Sequence, residues 1–311
     1  MNELVGLLGI ILVILPSMAL LLLQSIFYIV GRRKEGYNYG DGSIEGLISI
    51  IIPVRMEPLE LLDEALRYIY ELGKYYSIEA IVVSDDPRDR IEEIKDIILK
   101  WKERGLNISF IWREYPRGYR TGALNDALSI SRGKYIYVMD VDSRISKDFF
   151  AKAVKLVNEG AVAVVARWKG RNRDTRLSEA ISASMDYIVD AIYRGRSRLG
   201  LPVFPVGTGT LYDSTYLKAT LREWDEERIQ DDMEIGARIM KLGGRVLYID
   251  EEYVEVEVPR TFKSFRIQQE RWAYGATDVA LARFTDILFS KQPLYARTEA
   301  LFFLLQIFLN A

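Results

Sequence analysis

The chain is 311 residues long and 49% hydrophobic, with 42 basic against 44 acidic side chains and neither histidine nor cysteine. That composition excludes an imidazole general base, a Ser-His triad, a zinc site of the usual nitrogen and sulfur kind, a thiolate nucleophile and any disulfide framework. A net charge of −2 lacks the basic surplus that non-specific binding to nucleic acid requires, so no nucleic-acid partner is expected, and the length suits one large domain or two small ones.

The first element is apolar. From Leu4 to Val30 there is no charged residue, and only Ser17, Gln24 and Ser25 are clearly polar. At ~1.5 Å per residue such a helix reaches roughly 40 Å, against a hydrocarbon core of about 30 Å. A cleaved leader would carry basic residues ahead of a shorter apolar core, whereas here Met1-Asn2-Glu3 precedes the run and Arg32-Arg33-Lys34 follows it. Residues 1–34 are therefore expected to form a transmembrane anchor in the cell membrane, kinked at Pro16, with everything after Arg32 cytoplasmic by the positive-inside rule.

Strands and helices then alternate. Residues 48–53 form an isoleucine-rich run broken only by Ser49, as in a strand buried on both faces, and residues 59–72 follow with helical spacing of apolar positions. Strands are expected again at 80–83, 108–112 and 135–139, with helices at 91–101 and 121–130. This order predicts βαβ units and a mostly parallel sheet with helices on both faces, whose ligands bind beyond the carboxyl ends of the strands.

Three of those strands run into charged clusters: Val54-Arg55-Met56-Glu57, Ser84-Asp85-Asp86 and Asp140-Val141-Asp142. A lone acidic pair is ordinarily a solvated turn, and D-x-D by itself is a weak motif. Position raises it, because alternating carboxylates at a strand end can reach one hard divalent cation that also takes phosphate oxygens. Asp140 and Asp142 are accordingly candidates for metal-diphosphate binding. The loop from Arg117 through Gly118, Tyr119, Arg120, Thr121 and Gly122 to Asn125 suits either an anion at a helix N-terminus or a plain helix entry; it lacks Walker spacing.

Further along, residues 232–241 read as an amphipathic helix with Ile235 and Ile239 inward and Gly243-Gly244 at its end, which places Asp232 in the first turn. A helix-start acid there is favoured by the macrodipole, which would lower its pKa. Gln268, Arg271 and Trp272 fall at i, i+3 and i+4 and share one helix face, suited to a diphosphate contact beside a sugar-stacking indole or to an amphipathic interface helix. The closing run 300–309 is too short to span a bilayer, so it is either docked or the start of a cut second transmembrane helix, and the second is expected.

In this order, Ile50-Ile51-Ile52-Pro53-Val54-Arg55-Met56-Glu57, Asp85-Asp86, Arg120-Thr121-Gly122-Ala123-Leu124-Asn125, Asp140-Val141-Asp142, Gly207-Thr208-Gly209, Asp231-Asp232, Glu257-Val258-Pro259-Arg260-Thr261 and Gln268-Gln269-Glu270-Arg271-Trp272 form a set. The set resembles glycosyltransferase family 2, in the cellulose synthase-like branch that carries D-x-D and Q-x-x-R-W, over residues 48 to about 275. Two positions depart from it: the family's K-A-G-A-x-N begins with Arg120, a planar fork in place of a point charge, and its T-E-D is Gln230-Asp231-Asp232.

The resemblance implies a GT-A-like (Rossmann-like) catalytic domain over 35–260, an interface helix with Q-x-x-R-W over 261–290, and a truncated membrane segment over 291–311. It places the nucleotide sugar on Pro53, Arg55, Glu57 and Asp85 with Asp86 beside it, its phosphates on Arg120, Asp140 and Gln268, and Mg2+ or Mn2+ on Asp142 helped by Asp140. Asp232 becomes the general base and Arg271 a catalytic cation. Gly207, Thr208, Gly209, Trp224, Asp231 and Trp272 become acceptor contacts, although a core aromatic and a strand-end turn remain open for Trp224 and 207–209. The expected activity is inverting transfer, from a UDP-hexose by preference, to a glycan or lipid hydroxyl with a β-linked product. The lipid bilayer and a second copy of the chain, through the membrane helices, are the other expected partners. The alternative is a catalytically silent membrane subunit that binds nucleotide sugar or a partner.

Overall fold

The computed structural model describes the backbone of residues 2–32 and 45–309; the side chains of residues 2–13, 16, 188 and 306–309 lie outside the described set. Met1, Pro16 as a kink, the basic flank Arg33-Lys34 and the expected boundary at residues 34 and 35 therefore fall outside it as well.

The frame is one eight-stranded sheet. Its strands are β1 (Ile48–Val54), β2 (Ile78–Ser84), β3 (Ile108–Trp112), β4 (Tyr135–Val138), β5 (Arg144–Ile145), β6 (Ala163–Gly170), β7 (Thr210–Asp213) and β8 (Val246–Val256), in the order β3-β2-β1-β4-β7-β6-β8-β5. The isoleucine run of β1 is explained by two covers. Ile50 and Ile52 point to one core with Leu62, Leu66 and Ile69 of α2 (Leu59–Leu72) and Ile94 and Ile98 of α3 (Ile91–Glu103). Ile51 points the other way, to Leu124 and Leu128 of α4 (Tyr119–Ile130), as the period-2 alternation of a strand demands.

Strands β3, β2, β1 and β4 are parallel, as expected, but the other half of the sheet is mixed. β7 runs antiparallel to both β4 and β6, and β5 antiparallel to β8, while β6 and β8 are parallel. The mostly parallel sheet expected from the sequence is thus corrected. Strand periodicity carries no direction; the connection sets it, and here β7 follows an excursion through α5 (Phe149–Asn158), β6, α6 (Arg176–Ser184) and α7 (Asp190–Arg198) rather than a single crossover helix.

Among the described residues no helix is long and apolar enough to cross a membrane. The expected anchor is instead seen as α1 (Asn2–Gly31), whose far end docks on α7: Phe27 is buried, and Gly195 lies so close to it that a Cβ there would overlap. Its other face leaves Leu15, Met18, Leu21, Leu22 and Ile29 exposed. The chain continues through α8 (Asp231–Leu242), β8, α9 (Phe262–Ala282), α10 (Phe284–Leu288) and α11 (Leu294–Leu309). Residues 261–290 are thus two helices, and α9 buries only its last turns, through Gly275, Ala276, Val279 and Ala280. In the described part of the closing apolar run, Ala300, Phe303 and Leu304 of α11 are buried, with Ala296 just before them, in one core with Val279 and Ala280. A buried Arg196–Glu299 pair joins α7 to α11, with the guanidinium 4.0 Å from the Phe303 ring centroid.

Candidate active site

The carboxyl ends of the parallel strands open into a cavity of about 630 Å³. Pro53, Arg55, Glu57 and Asp85 wall it at the ends of β1 and β2, Arg120 at the start of α4, and Asp140 and Asp142 after β4. Gly207 and Thr208 enter before β7, Asp231 and Asp232 begin α8, and Gln268, Arg271 and Trp272 face in from α9. Residues separated by more than two hundred positions are therefore brought to one space.

Three expected site residues are not in its wall. Asp86 is buried behind the turn, where its carboxylate accepts from the Met56 N–H at 3.0 Å and pairs with Arg90 at 2.8 Å; it shapes the left-handed turn at Met56. Trp224 is 1% exposed, packed edge-on against Tyr212, and its backbone N–H and C=O are both bonded by the Asn125 amide, at 2.8 and 3.0 Å. It is a core aromatic rather than an acceptor contact. Gly209 has φ +97° with its α-carbon backed onto Val254, so it turns the chain into β7. It is buried, and Gly207 and Thr208 are the residues of this segment in the cavity wall.

On the nucleotide side Asp85 is gripped by a nearly buried arginine. Arg113 donates from Nε and Nη2 to the two Asp85 oxygens at 2.6 and 2.5 Å, and spends its other donors on the carbonyls of Arg117 and Tyr119, both at 2.8 Å. One side chain thus fixes both the strand-end acid and the loop leading to Arg120.

Arg120 stands at the centre. It donates to Asp140 Oδ1 at 2.8 Å, to the Gly207 carbonyl at 2.6 Å and to Asp231. Burial opposes its charge, but Asp140 and Asp231 outweigh that and hold it above the usual arginine range. Among the described residues Asp142 makes no ion pair of this kind. Burial, then Asp140, Glu57 and Glu257, push its carboxyl up to about 7. Glu57 is raised as well, by burial first and then by Asp140, Asp86 and Glu257.

Asp232 lines the same cavity as Asp142. Its Oδ1 accepts from the adjacent Met233 N–H at 2.7 Å. Burial and then the Asp231 charge nevertheless raise its pKa well above the usual carboxylate range. The helix-dipole expectation of a lowered pKa is overturned, because desolvation and a like charge exceed what one helix terminus supplies.

The remaining wall is aromatic. Trp168 of β6 lies with its ring centroid 6.0 Å from that of Trp272, and its indole N–H donates to the Thr208 carbonyl at 2.8 Å. Trp168, Met185, Tyr119, Gln230 and Glu257 line the cavity without having been expected there. Glu257 follows β8 directly, so the strand-end rule applied to that strand would have found it. Trp168 gave no signal, since within a strand it reads as a sheet residue.

Does the site suit a divalent cation? Among the described residues no three acidic side chains converge closely enough to hold a metal unaided. Asp140 and Asp142 offer carboxylate oxygens, and the negative charge that raises Asp142 is what a hard cation would neutralise. The residues therefore fit an ion shared with the oxygens of a bound diphosphate.

The chain thus presents a GT-A-like α/β fold with an acid-rich cavity at its strand ends. Residues 135–311 match the family model described as glycosyl transferase family group 2. A probable glycosyltransferase of Sulfolobus acidocaldarius is 32% identical over 294 residues, covering 91% of this chain and 61% of the relative. A probable glucomannan 4-beta-mannosyltransferase of Arabidopsis thaliana is 30% identical over 68% of this chain and 39% of its own length. The chain belongs to glycosyl transferase family group 2, and it spans about three fifths or less of these relatives. In fold it is similar to a mannosyltransferase of Pyrobaculum calidifontis solved with GDP-Man and Mn2+, with TM-score 0.71 and 21% identity, covering 95% of this chain and 83% of that one.

Proposed function

We propose that this chain is the catalytic domain of an inverting, metal-dependent mannosyltransferase that moves mannose from GDP-mannose to a glycan or lipid hydroxyl, leaving a β-glycosidic bond. The observation that carries this is that half-buried Asp142 and buried Asp232, both raised by burial and by neighbouring acids, line one cavity with Arg120. Mannosyl transfer replaces the UDP-hexose preference because relatives and the similar solved structure are named for it. We place the work at the cytoplasmic face of a cell membrane, on the apolar run 4–30 and the basic residues after it.

Pro53, Arg55, Glu57 and Asp85 receive the nucleoside. Asp142 and Asp140 would hold Mn2+ or Mg2+ against the diphosphate, where the ion neutralises the charge that builds on the leaving group. Asp232, kept partly protonatable by burial, takes the acceptor hydroxyl proton; the acceptor oxygen then bonds the anomeric carbon as its bond to phosphate breaks, the electron pair leaving with the nucleotide. Arg271 and Gln268 steady the departing diphosphate, and Trp272 stacks on the acceptor.

The test is nucleotide release from GDP-mannose and from UDP-hexoses, with and without Mn2+, with product mass. Mn2+-stimulated release of GDP that disappears in Asp232→Asn is the expected result. Turnover of UDP-hexoses alone would overturn the donor, and full turnover by Asp232→Asn would remove the base.

A further inference from the structure

The aromatic wall and the acidic turn of the cavity are joined by a hydrogen-bond chain that neither D-x-D nor Q-x-x-R-W contains. It begins at a bulge. The pairing of β6 with β8 slips between Ala166 and Arg167, and a bulge of this kind re-aims the side chains that follow it. Trp168, two residues on, faces the cavity. An indole has one donor and no acceptor, and Trp168 spends that donor on the Thr208 carbonyl at 2.8 Å.

Thr208 carries the chain onward. It is 2% exposed, and its hydroxyl oxygen accepts from the Asp140 N–H at 3.2 Å and meets Ser143 Oγ at 2.8 Å. Ser143 Oγ in turn donates to the Asp140 carbonyl at 2.9 Å, closing the turn that carries Asp140 and Asp142. Immediately before, the Gly207 carbonyl accepts from Arg120, which also holds the Asp140 carboxylate. The Gly207–Thr208 segment is therefore the strut of the turn. Its outer end is held by Trp168, whose ring is kept in place by Trp272.

We infer that Trp168 is a positioning residue that acts through Thr208 to set the Asp140–Asp142 turn, and with it the affinity of the site for a divalent cation in the presence of nucleotide. This rests on the donor reading above. Trp168 touches neither cation nor diphosphate in this scheme; it fixes the strut that orders the acids which do. A phenylalanine at this position keeps an aromatic ring in the wall but has no donor for the Thr208 carbonyl.

The experiment is Mn2+ binding in the presence of GDP, followed by the loss of the free Mn2+ paramagnetic resonance signal, in wild type, Trp168→Phe, Thr208→Val and the double variant. Phe keeps the ring against Trp272, and Val keeps the shape of Thr. Each single change is expected to weaken Mn2+ binding about five-fold, the worth of one buried neutral hydrogen bond. The double variant is expected to lose little more than either single one, because both cut the same chain. GDP binding without Mn2+ is expected to stay at the wild-type value. Wild-type Mn2+ affinity in Trp168→Phe, or full additivity of the two changes, would overturn the coupling. If wild type itself bound neither GDP nor Mn2+, the donor reading would fall and the coupling with it; if wild type binds both and Trp168→Phe matches it, the coupling alone falls.

Discussion

In the parallel half of the sheet, both acids at the β2 end meet an arginine: Asp85 the fork of Arg113, Asp86 that of Arg90. At the β4 end and the start of α8, Asp140 and Asp231 share Arg120, while Asp142 and Asp232, which make no ion pair among the described residues, are raised by burial and by neighbouring acids. A paired acid is a fixed acceptor, suited to holding the donors of a nucleoside. An unpaired buried acid stores unfavourable charge, and it releases that charge by taking a cation or a proton. On the proposed function, the β2 end recognises the nucleoside and the second set of acids carries the chemistry.

The sharpest way to break this division is Asp232→Asn. Loss of a general base is worth about 10²–10⁴-fold, so turnover is expected to fall by roughly a thousand-fold while GDP-mannose binding, measured by calorimetry, is retained. Asp142→Asn tests the other unpaired acid. Its turnover is expected to fall about a hundred-fold or more, and unlike Asp232→Asn it should lose the stimulation by Mn2+. Equal Mn2+ dependence in the two variants would erase the distinction between them.

Trp224→Ala and Trp272→Ala extend the comparison to the aromatics. Trp224 is among the largest fully buried side chains, so its truncation is expected to cost about 3–5 kcal/mol of stability, seen in denaturant unfolding. Trp272 stands at the cavity wall, and its removal is expected to leave the unfolding midpoint almost unchanged while acceptor use is lost.

These two tryptophans also show where sequence reading stops. The parallel half was legible because each strand is an unbroken apolar run and each helix a clean stripe. Its direction followed from crossover connections long enough to hold a helix. The mixed half was not, since nothing in Thr210-Leu211-Tyr212-Asp213 tells which way that strand runs. Likewise Arg120 and Asp232 came from the loop and helix readings and the family resemblance, while the strand-end rule brought Arg55, Glu57, Asp85, Asp140 and Asp142 into view. It could not separate Asp85 from Asp86, because what buries Asp86 is Met56 and Arg90, thirty residues before it and four after. Trp224 was hidden by Asn125, ninety-nine positions away, and Trp168 by a bulge that no periodicity announces.

Arg113→Lys probes the recognition half alone. A lysine keeps the charge but loses the fork and most of the bonds to Asp85 and to the 117–119 loop. Donor affinity is expected to drop roughly ten-fold, the worth of one charged hydrogen bond, with turnover at saturating donor little changed. A turnover loss as large as that of Asp232→Asn would mean that the nucleotide half also does chemistry.

The smallest expected effect is on pH dependence, and it separates the members of the Asp231–Asp232 pair. As a base Asp232 works ionised, so kcat/KM at saturating Mn2+ rises with pH through its raised pKa and then levels. Replacing Asp231 by Asn removes the like charge that is the second cause of the shift, and it leaves Arg120 to favour the Asp232 carboxylate. The acid limb of the profile is therefore expected to move to lower pH. Stability runs the opposite way. Above about pH 4, where a carboxyl in the unfolded chain gives up its proton, the folded pair still holds protons. Its contribution is full below that pH and is lost as pH rises through the raised pKa values. Over the same window wild type gains activity and loses this part of its stability. Thermal unfolding across pH should show a shallower decline in Asp231→Asn, and an unchanged decline would show that burial alone raises Asp232.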